Sequence, residues 1–170
     1  GMFSGDGGIA TNASLNTPRG IATDATGNLF IADQANQCVR KVNTSGIITT
    51  VAGNTINGYS GDGGPATAAS FRNPYAVAVD AAGNLYIADV DNARIRKVSA
   101  AGMTSTVAGN GTNGYNGDWV QATNATLYEP TGIAIDSYGT LYIADAWNHR
   151  IRAVSNTGII STLPPRRAGA

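Results

Sequence analysis

The sequence predicts an all-β protein made of three copies of one sheet-forming unit. A shift of 56 positions aligns the chain with itself without an insertion, so that SGDGG at 4–8 matches SGDGG at 60–64 and NGDWV at 116–120. The 170 residues also include 22 glycines and only 13% charged residues. Such a composition favours short strands joined by many turns over helices.

Four strands are predicted within each unit. In the second unit, YAVAVD at 75–80 and NLYIAD at 84–89 form a hairpin around the turn at 81–84. A polar turn then leads to RIRKV at 94–98, and a second turn leads to MTSTVAG at 103–109. We therefore expect a four-stranded antiparallel sheet in each unit.

The pattern within these strands indicates that both faces of each sheet are covered. Nearly every position of strands one and two is apolar, with small residues such as Ala76, Ala78 and Ala88 between larger ones. Radial stacking of four-stranded sheets covers both faces, so we predict a β-propeller rather than a linear solenoid. Residues 1–170 then form a single propeller segment, with repeats at 1–56, 57–112 and 113–170.

The residues also carry a family resemblance. The pattern PxGIAxDxxGNLYIADxxNxRIRKV, followed by GxITTVAG, resembles the NHL repeat and covers all three units. SGDGGPATxAxF at 60–71 is similar to the linker of bacterial multi-repeat NHL proteins. The resemblance implies an NHL-type propeller, a fold that serves many different activities.

Three blades leave two apolar sheet faces without a partner, because propellers contain four to eight blades. Two chains around a two-fold axis form a six-bladed ring, which is the usual NHL blade number, so we expect a homodimer. The chain begins inside a repeat, and we expect it to be an excised fragment. LPPRR at 163–167 replaces VAGNG, and the prolines predict that strand pairing stops there.

Residues that recur in every unit are interpreted as structural, since a catalytic group is needed once per site. One aspartate precedes each hairpin turn and has a carboxylate that can accept the N–H groups of the turn. An aspartate and an asparagine bracket the turn after strand two, where they can bond its backbone or a strand-three arginine. The first set is Asp24, Asp80 and Asp136, and the second is Asp33, Asp89 and Asp145 with Asn36, Asn92 and Asn148.

Residues that occur once are the candidates for binding. Strand alternation predicts that the linkers and the turns after strand two share one face of the ring, where aromatic residues lie beside charged ones. The candidates are Trp119, Trp147, His149, Tyr128 and Glu129 in unit three, with Arg72 and Tyr75 in unit two. The alternative is that Trp119 and Trp147 fill space between neighbouring blades.

Three functions are compatible with this pattern. The first is a non-catalytic scaffold that binds a protein, peptide or glycan on that face and needs no cofactor. The second is a lyase or hydrolase with calcium or zinc at the ring axis, which a resemblance to peptide-amidating lyases implies, although one histidine is too few for a three-histidine site. The third is an architectural fragment of a longer propeller.

The composition limits the classes of partner and the cellular compartment that we expect for this chain. Lys plus Arg and Asp plus Glu both number 11, so we expect no nucleic-acid partner. No stretch of the sequence approaches the roughly 18 apolar residues of a membrane span, so we expect no membrane partner. Arginine alternates with isoleucine at 94–96 and 150–152, which predicts half-buried strands rather than a basic face. The single Cys38 excludes an internal disulfide framework, and the low lysine content favours an extracellular or periplasmic protein.

Overall fold

The computed structural model describes residues 3–163, which form three antiparallel sheets. The predicted all-β class is confirmed. The helical segments of this range are six short 3-10 helices, at Ala10–Asn12, Gln34–Asn36, Ala66–Ala68, Val90–Asn92, Ala122–Asn124 and Ala146–Asn148. No helix of residues 3–163 is long and apolar enough to cross a membrane.

The first two sheets, called blades here, have four strands each in chain order. Blade 1 contains β1 (Pro18–Thr23), β2 (Leu29–Asp33), β3 (Cys38–Val42) and β4 (Ile48–Ala52). Blade 2 contains β5 (Pro74–Val79), β6 (Leu85–Asp89), β7 (Arg94–Val98) and β8 (Thr104–Ala108). The registers correspond, because Asp33 lies opposite Cys38 in blade 1 as Asp89 lies opposite Arg94 in blade 2.

Blade 3 differs from the prediction by one additional strand. It contains β9 (Val120–Gln121), β10 (Pro130–Ile135), β11 (Leu141–Asp145), β12 (Arg150–Val154) and β13 (Ile159–Thr162). The sheet therefore has five strands, in the order β10-β11-β12-β13-β9. The fifth strand arises because the preceding linker pairs with the fourth strand of the blade, Ile160 opposite Val120.

The linkers also connect the outer strands of adjacent blades. In the linker between blades 1 and 2, Gly63 N–H donates to the Thr104 carbonyl of β8 at 2.8 Å. The Ala66 carbonyl of the same linker accepts a 2.9 Å hydrogen bond from the N–H of Gly53, which directly follows β4. The predicted end of pairing at Pro164 and Pro165 lies outside the described residues.

Apolar side chains from facing sheets form the core in two clusters. Between blades 1 and 2, Phe30 and Val39 pack with Leu85 and Ile87, and the linker residue Phe71 is fully buried beside them. Between blades 2 and 3, the corresponding residues repeat the arrangement: Tyr86, Ile95, Leu141, Ile143 and Leu127. Burial on both faces of blade 2 is the stacking that the apolar strands predict.

The first strands β1, β5 and β10 lie next to one another at the inner side of the three blades. Gly20 in β1 approaches the backbone of β5 so closely that an added Cβ would lie 2.7 Å from the Ala76 Cα. A glycine is therefore required here for close strand contact, rather than for an unusual backbone angle.

One face of each terminal blade has no partner sheet within residues 3–163. Ile151 of blade 3 is 46% exposed, whereas Ile95 at the same register in blade 2 is 0% exposed. Ile21 of blade 1 is 66% exposed, whereas its counterpart Val77 is 6% exposed. These two faces have the apolar residues of an interface between blades, but nothing in the described chain covers them.

Candidate binding site

The turns after the second strand of each blade define what we call the upper face. Each turn is a 3-10 helix that ends in a left-handed residue, and in blade 3 this residue is His149 with φ of 54°. The segment before β10 lies against this turn, since Trp147 N–H donates to the Tyr128 carbonyl at 3.1 Å. Local hydrogen bonds thus fix the positions of Tyr128, Trp147 and His149.

Two predicted aromatic residues form a stacked pair on this face. The rings of Tyr128 and Trp147 have centroids 5.6 Å apart and planes 23° apart. Trp147 is 58% exposed, so it does not fill the interior of this chain. The neighbouring His149 side chain is exposed as well. The pair presents a flat, rigid apolar surface to solvent.

A polar cleft on the same face holds two further predicted residues. The cleft has a volume of 320 Å³ and is lined by Arg72, Val90, Asp91, Asn113 and Glu129. Arg72 Nε lies 3.6 Å from Asp91 Oδ2, and both side chains are about half exposed. The cleft therefore offers one cationic and two acidic groups to a ligand.

Tyr75 lies near these residues in sequence but takes part in a different contact. It is half-buried at the start of β5, where it packs against the core between blades 2 and 3. The Arg19 guanidinium carbon lies 5.1 Å from the centre of its ring. Tyr75 therefore joins the first strands of blades 1 and 2 at the inner side of the propeller.

The prediction that Trp119 lies on the same face as Trp147 is wrong. Trp119 lines a groove with Tyr138, which belongs to the β10–β11 turn at the other end of the sheet. The reason is the direction of the linker, which runs along β13 and places Trp119 N–H against the Ile160 carbonyl at 2.8 Å. We call this end of the blades, formed by the β10–β11 type turns, the lower face.

The aspartate that ends the second strand of each blade accepts hydrogen bonds from backbone and side-chain donors around it. Asp89 accepts hydrogen bonds from Arg72 N–H at 2.7 Å, from the Asn92 amide at 2.9 Å and from Arg96 at 3.3 Å. Burial raises the pKa of Asp89 to about 6, although the hydrogen bonds and the charge of Arg96 lower it. Asp33 with Asn36 and Asp145 with Asn148 make the equivalent side-chain bonds.

The sequence predicted half-buried third strands, and in each of these strands one arginine lies in the buried part. Arg40, Arg96 and Arg152 are fully buried. Each extends to the linker aspartate, and Arg96 Nη2 donates to Asp62 at 2.7 Å. The linker covers this face of the strand, and Tyr59 lies 4.8 Å above the Arg96 guanidinium. Equivalent pairs join Arg40 to Asp6 and Arg152 to Asp118. The arginine and the linker aspartate both recur in all three repeats, and this recurrence is the feature of the sequence that indicates the pair.

The hairpin aspartates hold the tight turns. Asp80 accepts the N–H groups of Ala82 at 3.0 Å and Asn84 at 2.8 Å, and also the Tyr86 hydroxyl at 3.2 Å. Burial raises the pKa of Asp80, but the hydrogen bonds from Asn84 and Tyr86 lower it by more. The pKa of Asp80 therefore lies below its usual value. Asp24 and Asp136 accept equivalent backbone bonds.

Comparison with known proteins identifies the family. The family model described as the Teneurin NHL domain matches residues 2–59, 55–116 and 111–167. The chain belongs to the teneurin NHL-domain family. Teneurin-m of Drosophila melanogaster is 30% identical over an alignment of 174 positions that covers 95% of this chain and 6% of the relative. The chain thus spans a small part of the curated relatives it matches, and the predicted resemblance to NHL repeats is confirmed.

Solved structures share the fold of this chain. A Bacteroides thetaiotaomicron protein of unknown function is 28% identical with a TM-score of 0.71, over 85% of this chain and 37% of that one. Virginiamycin B lyase from Staphylococcus aureus is 16% identical with a TM-score of 0.59, over 94% of this chain and 44% of that one. The second likeness shows a shared fold alone.

The positions of these side chains limit the chemistry that the chain can perform. No three His, Cys, Asp or Glu side chains within residues 3–163 come together in a way that could hold a metal ion. The repeated aspartates are engaged in hydrogen bonds to turns, linkers and arginines. On the upper face, the aromatic pair and the charged side chains of the cleft face solvent, and these groups suit non-covalent recognition.

Proposed function

We propose that this chain is a non-catalytic propeller scaffold that binds a protein, peptide or glycan through its upper face. The observation that carries the proposal is the stack of the half-buried Tyr128 ring on the exposed Trp147 ring, with centroids 5.6 Å apart. Rigid aromatic side chains contribute contact area with little loss of conformational entropy, and they are enriched at the centres of interfaces.

The composition of this surface supports a specific role in blade 3. Position 147 corresponds to Ala35 and Asp91 in the other blades, and position 149 corresponds to Gln37 and Ala93. The turn conformation is the same in all three blades, because residues 37, 93 and 149 are all left-handed. The turn conformation therefore does not demand Trp147 or His149, which supports recognition as the role of the exposed Trp147 beside Tyr128.

The neighbouring cleft supplies charge for specificity. Arg72 and Glu129 lie on opposite sides of the boundary between blades 2 and 3 and line the same cleft. A ligand that stacks on Trp147 and reaches this cleft meets both signs of charge within one footprint.

The experiment is a selection of ligands from a displayed random-peptide library and from a glycan array, followed by calorimetry. Trp147→Ala and Glu129→Gln weaken a selected ligand about tenfold each, as loss of an interface anchor does. Tyr138→Ala, on the lower face, is the matched aromatic control and leaves the affinity of an upper-face ligand unchanged, whereas a ligand that it weakens is assigned to the lower face. If no selected ligand is weakened by the upper-face variants, the proposal is contradicted.

The proposal includes closure of a six-bladed ring by a second copy of the chain. The exposed face of blade 3 has Tyr142, Ala144 and Ile151 where blade 2 buries Tyr86, Ala88 and Ile95 against its neighbour. The exposed face of blade 1 has Ile21, Leu29 and Ile31 where blade 2 buries Val77, Leu85 and Ile87. Blade 3 of one copy therefore matches blade 1 of another, and two such contacts close a ring.

Light scattering over a range of concentrations tests this closure. A homodimer has twice the chain mass of 17.3 kDa. A persistent monomer contradicts closure by a second copy, and it favours the alternative in which further blades of a longer propeller cover the two faces.

The enzymatic alternative has no supporting observation beyond fold. The virginiamycin B lyase is 16% identical to this chain, so its activity does not transfer. An extracellular or periplasmic setting is part of the proposal and agrees with a surface built for contact with other molecules.

A further inference from the structure

A second surface with binding character lies on the lower face of blade 3. The groove there has a volume of 450 Å³ and contains Trp119 and Tyr138. These two are the most exposed large apolar side chains of residues 3–163, at 78% and 84%. Two such side chains in one groove form a local apolar surface that the core does not use.

The backbone at Trp119 is unusual for a bulky residue. Trp119 has φ of 65°, in the left-handed region, and the other blades have glycine there, Gly7 with φ of 78° and Gly63 with φ of 79°. A side chain in this region costs about 1–2 kcal/mol. Blade 3 therefore carries a strained tryptophan where its sister blades carry glycine, and strain of this kind is concentrated at functional sites.

The second aromatic residue is also specific to blade 3. Tyr138 stands in the hairpin turn where blades 1 and 2 have Thr26 and Ala82. Its N–H donates to Asp136 at 2.9 Å, so the turn holds the backbone while the ring faces solvent. Two independent replacements in one blade thus place aromatic rings at the same groove.

The rest of the groove is neutral and rich in hydroxyl groups. Its lining is completed by Thr140, Ala153, Ser155, Asn156, Thr157, Ile159 and Ser161, with no charged side chain. The Ser155 and Thr157 hydroxyls are hydrogen-bonded at 2.8 Å, and Ser155 also accepts Ile159 N–H at 3.2 Å. The hydroxyl edge is therefore ordered before any ligand arrives.

We propose that this groove binds a neutral oligosaccharide. A sugar ring has an apolar face of C–H groups that stacks on an aromatic ring, and an edge of hydroxyls that bonds to hydroxyl and amide side chains. Trp119 and Tyr138 supply the first kind of contact, and Ser155, Asn156 and Thr157 supply the second. The absence of charge in the lining disfavours a phosphorylated or acidic ligand.

The groove remains open when another blade is packed on this side. It lies at the lower end of blade 3, where Ser155 and Asn156 also line the cleft between blades 2 and 3. In blades 1 and 2, where the next blade is present, the corresponding positions Gly7, Gly63, Thr49 and Ser105 are still exposed. Ring closure by a second copy or by further blades therefore leaves the site accessible.

The test uses the full chain with cellotetraose, mannotetraose and the N-acetylglucosamine tetramer. The chain has two tryptophans, so a Trp147→Phe background makes Trp119 the reporter in fluorescence titrations. At least one tetrasaccharide changes this fluorescence saturably. In calorimetry, Trp119→Gly and Tyr138→Ala weaken binding about tenfold each, and Trp147→Ala changes it less than about twofold.

The two test variants restore residues found in the sister blades, Gly63 and Ala82, so they preserve folding. No saturable binding up to about 10 mM sugar, a limit weaker than ordinary lectin-type affinities, overturns the proposal, as does binding that survives Trp119→Gly. Binding of a tetrapeptide with the same Trp119 dependence overturns the ligand class.

A glycoprotein with neutral mannose-rich chains, before and after enzymatic removal of the chains, distinguishes attached glycans from free sugars. Affinity that depends on the attached chains and on Trp119 supports a glycoprotein ligand. Failure of this site leaves the upper-face proposal intact, since Trp147 and Glu129 lie at the opposite end of the blade.

Discussion

Arg96 and Asp62 are 34 residues apart in sequence, and a 2.7 Å hydrogen bond joins their side chains between β7 of blade 2 and the preceding linker. The same guanidinium lies 3.3 Å from Asp89, whose side chain is fully buried. One arginine thus connects a linker to the end of β6. The connection recurs in all three blades and explains why a fully buried cation is conserved along the repeats of this chain.

Arg96→Ala is predicted to lower the free energy of unfolding by about 3–5 kcal/mol, because it leaves Asp89 buried without its cation. Asp62→Ala costs less, about 1–3 kcal/mol, because the Asp62 side chain is partly exposed. Urea denaturation of both variants measures the difference. Arg94→Ala, with a half-buried side chain two residues away, is the control. Equal losses for Arg94 and Arg96 would refute a special role for the buried arginine.

Asp80→Ala is predicted to destabilise the chain by about 1 kcal/mol through lost turn bonds. The pKa of Asp80 in the folded chain is below its usual value of 3.8. The ionised Asp80 carboxylate therefore contributes its full stabilisation to the free energy of unfolding above pH 3.8, and this stabilisation is lost as pH falls through the pKa of the folded state. Chemical denaturation at pH 7 and at about pH 2 checks this, using Asp80→Asn as the uncharged variant. The stability gap between wild type and Asp80→Asn shrinks at low pH, and a constant gap is the contrary result.

Trp147→Ala is predicted to change the free energy of unfolding by no more than about 1 kcal/mol. Its ring is 58% exposed and loses only the stack with Tyr128. Thermal and urea unfolding measure the effect, with Phe71→Ala in the buried core as the severe comparison. Unfolding of the Trp147 variant would instead favour a packing function for this tryptophan.

Ile151→Asp is predicted to convert the proposed dimer into a folded monomer. The charge lies on the face of blade 3 that no described residue covers, and burying it against a second copy is unfavourable. Light scattering and circular dichroism report mass and fold separately. Ile95→Asp, at the same register inside the chain, unfolds the protein. A dimer that tolerates Ile151→Asp would place the contact elsewhere.

Local sequence patterns predicted most of the fold. The hairpin at 75–89 follows from a turn glycine between two apolar runs, and the structure has β5 and β6 there. The upper-face stack joins residues 19 positions apart, so its approximate location was predictable from strand alternation. The error for Trp119 has a different origin, since the path of the linker along β13 depends on a pairing 41 residues distant, Trp119 with Ile160. Burial of Arg96 was missed for the same reason, because a linker 34 residues away covers it.

The pairing of linkers with outer strands has a consequence for solubility. The perimeter strand of a blade would otherwise present free N–H and C=O groups, which invite pairing with strands of other molecules. Val120 and Gln121 occupy that edge on β13, and the Pro65 bridge to Met103 occupies it on blade 2. A protein rich in β-structure is thereby protected against edge-to-edge aggregation, and shortening a linker would expose the blade it serves to amyloid-like assembly.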